Sequence, residues 1–315
     1  MRILSISTRM PEKDKKGDQI VFYNRLKFLS LRGYKIIHIL IKHKFNKSNY
    51  ENSEYELNKF GIKIITININ LLESMISFIF YSILKNNPFQ VSIFTSIFSR
   101  KKIFKIIKQF DPDLLYCCHV RPSLNLRFFQ KPICIELNDS VGLNLERRAN
   151  NSKSFLKYFL SIEAKRVKIY ERLLSDQSIL SNVVSKIDAK YINSEKILVL
   201  PLGIYETQLE QKVNLQIHKV IVFTGNLSYH PNFEAVKWFI NNCWDNLLLL
   251  DPEIIFRIAG RSPSKELIKL CADAGADAAK FQHFKADTIV SDYGFKDLGQ
   301  QQSHQKKWKK TPVRK

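Results

Sequence analysis

The residues best placed to do chemistry stand where apolar runs end. In KVIVFTGNLSYHPNFEAVKWFI (Lys219–Ile240) a β-branched run, Val220–Thr224, meets Gly225 and Asn226, and a helix-period pattern follows through Phe233, Val236, Trp238, Phe239 and Ile240. A strand that ends in Gly and opens into a helix aims backbone N–H groups and the positive end of the helix at one spot, which suits an anionic ligand. Taken alone, the stretch reads equally well as an ordinary βα turn. The chain opens on the same design: RILSIS, a polar loop TRMPEKDKKGDQ, then a helix with Gly17 and Asp18 at its start. That loop lacks G-x-G-x-x-G, so the nicotinamide-dinucleotide fingerprint is absent. Two further runs end in polar groups, DPDLLYCCHV at His119 and PICIELND at Asn138 and Asp139. Ligands of open α/β sheets bind outside the carboxyl ends of the strands. A lone His or Asp more often satisfies a structural hydrogen bond, but two at neighbouring strand ends make His119 and Asp139 the candidate catalytic pair.

Positioning them requires a parallel sheet. A helix to about Leu31 presents Val21, Phe22, Leu26, Phe28 and Leu29 inward, Gly33 ends it, and Tyr34–Ile41 is the next strand. Strand, helix, Gly and strand make a right-handed βαβ unit. Ile62–Ile69 is a further strand. Leu71–Leu84 is apolar on several sides and reads as a buried or interfacial helix. In SIFSRKKIFKIIKQF apolar positions alternate with Arg100, Lys101, Lys102, Lys105 and Lys108. Such a helix lies on an anionic membrane surface, or packs on the sheet with a solvated Lys face. IEAKRVKIYERLL is a charged amphipathic helix. SILSNVVSKIDAKYI is a strand and a helix capped by Ser185, and ILVLPLGI is a strand stopped by Pro201 and Gly203. Residues 204–218 are polar and mark a domain boundary, before Val220–Thr224 and EIIFRIAGR open a second unit.

With 315 residues, 45% hydrophobic and 25% charged, the chain is globular and long enough for about two domains, which excludes a disordered protein. A net charge of +21 predicts an anionic partner: nucleic acid, acidic lipid or a phosphorylated substrate. Lys residues beside Ile, Asn and Phe also fit an AT-rich genome, so codon drift explains part of the charge. The five Cys form no C-x-x-C pair and read as buried small hydrophobes in a reducing compartment, with no metal site expected. MRILSISTRM is too short and polar for a signal peptide, and no uninterrupted run of ~20 apolar residues exists to span a membrane.

The order and spacing of RILSIS–TRMPEKDKKGDQIVFYNRLKFLSLRGYKI, ELNDSVGLNLERRA, the EAKR–YER helix with VVSKIDAKYI, ILVLPLGI, VFTGNLSYHPNFEAVKWF and FRIAGRSPS resemble the two Rossmann-like domains of GT-B glycosyltransferases. The likeness, over roughly residues 1–262, is to family 4 enzymes of bacterial surface-polysaccharide synthesis. It implies transfer of a sugar from a nucleotide diphosphate sugar to a glycan or lipid-linked acceptor, in the cytoplasm and at the inner face of the plasma membrane, with no cofactor. Fixed dipoles and cations would stabilise the charge growing on the leaving diphosphate. Gly17 and Asp18 would meet substrate, Gly225 and Asn226 would approach the donor phosphates, and Arg261 would neutralise them. The chain departs from the family in the loop NLSYHPN, in the displacement of His119 along its strand, and in lacking any Glu-x7-Glu donor-gripping pair after Ser264.

ELIKLCADAGADAAKFQHFKADTIVSDYGF resembles instead a segment of N-acetylneuraminate (sialic acid) synthases and their legionaminate relatives, which are TIM-barrel enzymes. There Lys280 matches a phosphate-contacting Lys. The expected organisation is therefore α/β and GT-B-like: a complete Rossmann-like domain over 1–205, a truncated donor-side domain over 206–263, and a barrel-derived fragment with a basic tail over 264–315. The function expected is glycosyl transfer, impaired by truncation. The alternatives are a synthase-related fragment and a basic nucleic-acid- or membrane-binding protein without activity. HQKKWKKTPVRK has the charge for nonspecific phosphate contacts, but no nucleic-acid recognition motif accompanies it.

Overall fold

The structure, a computed structural model, describes residues 1–13, 17–44, 50–127, 129–152, 154–202, 219–260 and 262–276. Contacts divide the chain into two compact units, Met1–Glu206 and Thr207–Lys315.

The first unit is a seven-stranded sheet in the order β3-β2-β1-β4-β5-β6-β7, all of it parallel. The strands are β1 (Arg2–Ser7), β2 (Lys35–His43), β3 (Lys63–Ile69), β4 (Leu114–Cys118), β5 (Ile133–Asn138), β6 (Leu180–Val183) and β7 (Ile197–Val199). Period-two alternation sends Leu4 and Ile6 into one core and Ile3 into another on the opposite face. Helices therefore cover both faces, as a parallel sheet requires.

Helix α1 (Gly17–Leu31) joins β1 to β2 and buries Phe22, Tyr23 and Leu26. It ends at Gly33, whose φ of +82° suits a residue without Cβ. Phe28, expected inward, is exposed; it lines an apolar cavity of about 620 Å³ over β4–β7, together with Ile3, Arg25, Tyr116 and Leu198. Helix α2 (Glu51–Asn58) joins β2 to β3. Between β3 and β4 the chain makes α3 (Leu71–Ser77), a π-helical continuation (Phe78–Leu84), the short α4 (Phe89–Ser92) and α5 (Ile97–Phe110). Ser96 caps α5 with a reciprocal box to Ser99. Helices α6 (Val141–Asn150) and α7 (Ser154–Gln177) join β5 to β6, and α8 (Lys186–Ile192) joins β6 to β7. Ser185 caps α8 as its sequence predicts.

In the second unit β8 (Val220–Thr224) pairs in parallel with β9 (Ile255–Ala259). Helix α9 (His230–Phe239), a π-helical stretch (Ile240–Trp244) and α10 (Asp245–Leu250) connect them, and α11 (Lys265–Asp273) follows. Leu227, Val236, Ile240 and Leu267 form this unit's small core.

Candidate active site

From β1 the chain moves outward through β2 and β3, then crosses back to β4 on β1's other side. That reversal marks the space outside the carboxyl ends of β1 and β4 as the usual ligand position in open α/β sheets. Asp18 enters it from the first turn of α1. Its Oδ2 lies 2.5 Å from Arg9 Nη1, in the loop after β1, and 3.3 Å from His119 Nε2, just past β4. Burial by itself pushes the Asp18 carboxyl up; hydrogen-bonding contact and charge from His119 and Arg9 outweigh it and hold the group well below the usual carboxylate range.

His119 reaches this position through an unusual backbone. Its φ is +66°, a left-handed conformation costly for a residue with a Cβ. The His119 N–H donates to Glu136 O at 2.7 Å, and Nδ1 faces Leu137 O at 3.2 Å. These contacts to β5 fix the ring and leave Nε2 facing Asp18. Nε2 is buried and faces Asp18 Oδ2 at 3.3 Å.

Asn138, at the end of β5, also has positive φ (+60°), and the chain turns there into Asp139. Burial raises the Asp139 carboxyl, the charges of Asp188 and Asp18 add to the rise, and His119 opposes it. A carboxylate of raised basicity at a strand end fits a proton acceptor. The loop beneath is held by two acids. Asp188 Oδ1 accepts the Ser140 N–H at 3.0 Å. Glu171 accepts from Ser140 Oγ and from the Val141 N–H, both at 2.7 Å, and burial lifts its pKa to about 7. Arg121, two residues past His119, donates to Gln90 Oε1 at 3.1 Å. Its pKa is lowered, chiefly by burial and then by the neighbouring Arg9 charge. Two guanidinium groups close enough to repel suit an anionic ligand between or beside them.

A buried support lies under β1. His38 Nδ1 is 2.9 Å from Ser5 Oγ and its Nε2 3.1 Å from Ser7 Oγ, while Ser7 donates to Arg9 O at 2.5 Å. With Ser7's proton spent on Arg9, Nε2 carries the ring hydrogen, and the chain of bonds ties β2 to the loop bearing Arg9.

The second unit presents its own βα turn. Asn226 Oδ1 accepts from Ser228 N and Oγ, so the side chain is engaged in its own loop. A Cβ on Gly225 would stand 2.8 Å from Asn232 Nδ2, and one on Gly260 would stand 1.8 Å from Gly225 O. Packing of the β8 and β9 ends therefore demands Gly260, whereas at Gly225 the Asn232 side chain would have to move. Gly17 differs: a Cβ there meets nothing within 4 Å. Arg261 and Lys280 lie outside the described residues, as do the ADAAKF strand and FKADTIVS loop expected after α11. Among the described residues no group of His, Cys, Asp and Glu side chains is arranged to hold a metal.

No family model and no curated protein matches the sequence. Solved structures do. The crystal structure of TarM aligns with 86% of this chain and 74% of its own at TM-score 0.52 and 10% identity. Sucrose-phosphate synthase from Thermosynechococcus elongatus aligns over 88% of this chain and 68% of its own (TM-score 0.48, 12% identity). The UDP co-structure of S. aureus MnaA aligns over 88% and 66% (TM-score 0.40, 14% identity). The fold is that of the GT-B glycosyltransferases. The chain spans about two thirds of the length of the solved chains it resembles.

Of the residues expected from sequence, Asp18 and His119 meet, Asp139 stands at the next strand end within reach of their charge, and Gly17 is beside Asp18. Arg9 and Arg121 were not anticipated, although each follows a strand end by a few residues, which is the available signal. Glu171 and Asp188 act from helices distant in sequence and carry no local signal.

Proposed function

We propose that the chain is a glycosyltransferase that moves a sugar from a nucleotide diphosphate sugar to a glycan or lipid-linked acceptor in surface-polysaccharide synthesis, without a cofactor, in the cytoplasm and at the inner face of the membrane. The carrying observation is the convergence of Arg9, Asp18 and His119 at the switch point of a parallel sheet, with Asp139 of raised basicity at the next strand end. In this reading Asp139 takes the acceptor hydroxyl proton, Arg9 and Arg121 offset negative charge on the bound substrate, and Asp18 orients Arg9 and His119. Gly225, Asn226 and Arg261 serve the donor phosphates from the second unit. Residues 264–315, with Lys280, are a synthase-derived fragment with no part in transfer.

The test is sugar transfer by the full chain with a panel of nucleotide sugars and lipid-linked acceptors, alongside calorimetric titration of the same donors. Donor binding with transfer that is abolished in Asp139→Asn is the expected result. Absence of binding for every donor overturns the reading.

A further inference from the structure

The helical stretch Leu71–Leu84 is built inside out. Ser74, Ser77, Tyr81 and Ser82 face the body and are buried, whereas Leu71, Leu72, Met75, Ile76, Ile79, Phe80, Ile83 and Leu84 are 43–68% exposed. Tyr81 reaches the apolar core and Phe78 meets Phe89 edge-on, while the serines and the Tyr81 hydroxyl make polar contacts. Ser74 Oγ lies 3.1 Å from His43 Nδ1, Tyr81 OH accepts from Arg100 Nη1 at 3.0 Å, and Arg166 donates to Ser82 Oγ at 2.9 Å and to the Ser82 and Asn87 carbonyls. A surface helix of a water-soluble domain turns its apolar stripe inward; this one is held in part by hydroxyls and offers most of its apolar side chains to its surroundings. Scattered exposed apolar residues need no explanation, but a continuous stripe marks an interaction surface.

Neighbouring helices extend it. Ser96 Oγ donates to Glu73 at 3.0 Å, which brings the start of α5 beside α3, and there Ile97 and Phe98 are exposed. Glu163 accepts the Phe89 N–H at 2.5 Å, which ties α7 to the same region, and Phe155, Leu156, Tyr158 and Phe159 at the start of α7 are exposed as well. The charge around this apolar surface is positive. Lys101, Lys102, Lys105 and Lys108 are exposed along α5. A cavity of about 700 Å³ opens beside Phe80, lined by Lys85, Arg100, Arg127 and Lys131, the last of which is paired with Asp111 at 2.8 Å.

We infer that this face lies in the headgroup region of an anionic bilayer, with the Leu71–Leu84 stripe among the acyl chains and the cations of α5 and the cavity on lipid phosphates. Charge selects this occupant. A second copy would bring the same cations against these in a chain of net charge +21. Among the described residues no helix is long and apolar enough to cross a membrane, so the contact is peripheral. The face is also tied to the candidate site: Gln90, in α4 just after the stripe, accepts from Arg121. Membrane binding stands without the transferase reading and is measured without turnover.

The experiment floats the full chain with vesicles of phosphatidylcholine alone or mixed with phosphatidylglycerol, at low and high salt. The expected result is strong binding to the mixed vesicles only, weakened by salt. Ile76→Ser/Ile79→Ser/Ile83→Ser lowers partitioning about 100-fold, since three side chains lose their apolar transfer. Lys101→Glu/Lys105→Glu removes the preference for phosphatidylglycerol. All these side chains point outward, so circular dichroism and melting match the parent; Ile79→Asp provides a second, single-site check. Wild-type binding to neither vesicle, or equal binding to both, overturns the inference. So does a triple-serine variant that floats like the parent, or a dimer in sedimentation that this variant dissociates.

Discussion

Asp18 Oδ2 and His119 Nε2 stand 3.3 Å apart, joining the first turn of α1 to the end of β4 across the point where the sheet's strand order reverses. Asp18 is mostly buried and also holds Arg9. Because its folded pKa is depressed, the unfolded chain binds its proton first as pH falls below about 4, and the stability this carboxylate contributes is lost from there downward. Asp18→Asn should therefore lower stability at neutral pH and flatten the acid limb of a denaturation-versus-pH curve. An unchanged curve would remove Asp18 from the charge cluster.

The left-handed backbone at His119 gives a second, separable test. His119→Ala should reduce transfer by about 10²–10⁴-fold if the ring handles charge in the reaction. His119→Gly should lose activity equally but prove about 1 kcal/mol more stable than the Ala variant, because Gly accepts φ of +66° without strain. Urea denaturation of the pair reads the difference.

The ends of β1, β4 and β5 were legible in the sequence because each is a short apolar run closed by a polar residue, and the βαβ opening followed from Gly33 and the helix period. Burial of the α1 face was legible only in part. Phe28 obeys the helix period, yet it borders the apolar cavity over β4–β7, and periodicity cannot report which half of a sheet a helix reaches. For Leu71–Leu84 the apolar count was plain, but no local pattern marks Ser74, Ser77 and Ser82 as the inward face. Arg25 lies 2.8 Å from the buried Glu136 Oε2, which also accepts from Tyr116. Such a pairing between a helix and two strands has no local pattern to reveal it. Glu171 beneath the Asp139 loop is hidden for the same reason.

Two buried groups should shape stability against pH with opposite signs. His38 is fully buried and burial lowers its pKa to about 3. The unfolded chain gains this proton from pH 6.5 downward while the native chain does not, so stability falls as pH drops. Glu171 is raised to about 7, so between its unfolded value of 4.5 and about 7 the native chain holds the extra proton and stability falls as pH rises. The two nearly cancel between pH 4.5 and 6.5. Glu171→Gln should expose the His38 slope, approaching ~1.4 kcal/mol per pH unit, over that window. A flat curve in the variant would contradict the burial of His38.

The glycines separate packing from substrate approach. Gly260→Ala forces a Cβ to within 1.8 Å of the Gly225 carbonyl oxygen, so the β8 and β9 ends must part, at a cost of about 1–3 kcal/mol, the range for overpacking. A lower melting temperature, with selective loss of amide protection in residues 219–276, is the expected signature. Gly17→Ala meets no neighbour and has no positive φ to lose, while Ala favours the helix that starts there. Its stability should hold or rise by up to ~1 kcal/mol. If the opening loop must lie against substrate, the same methyl group should nevertheless raise KM for transfer. Gly17→Ala with unchanged KM would show that the space beside Gly17 is solvent and that substrate is held by Asp18 and its partners alone.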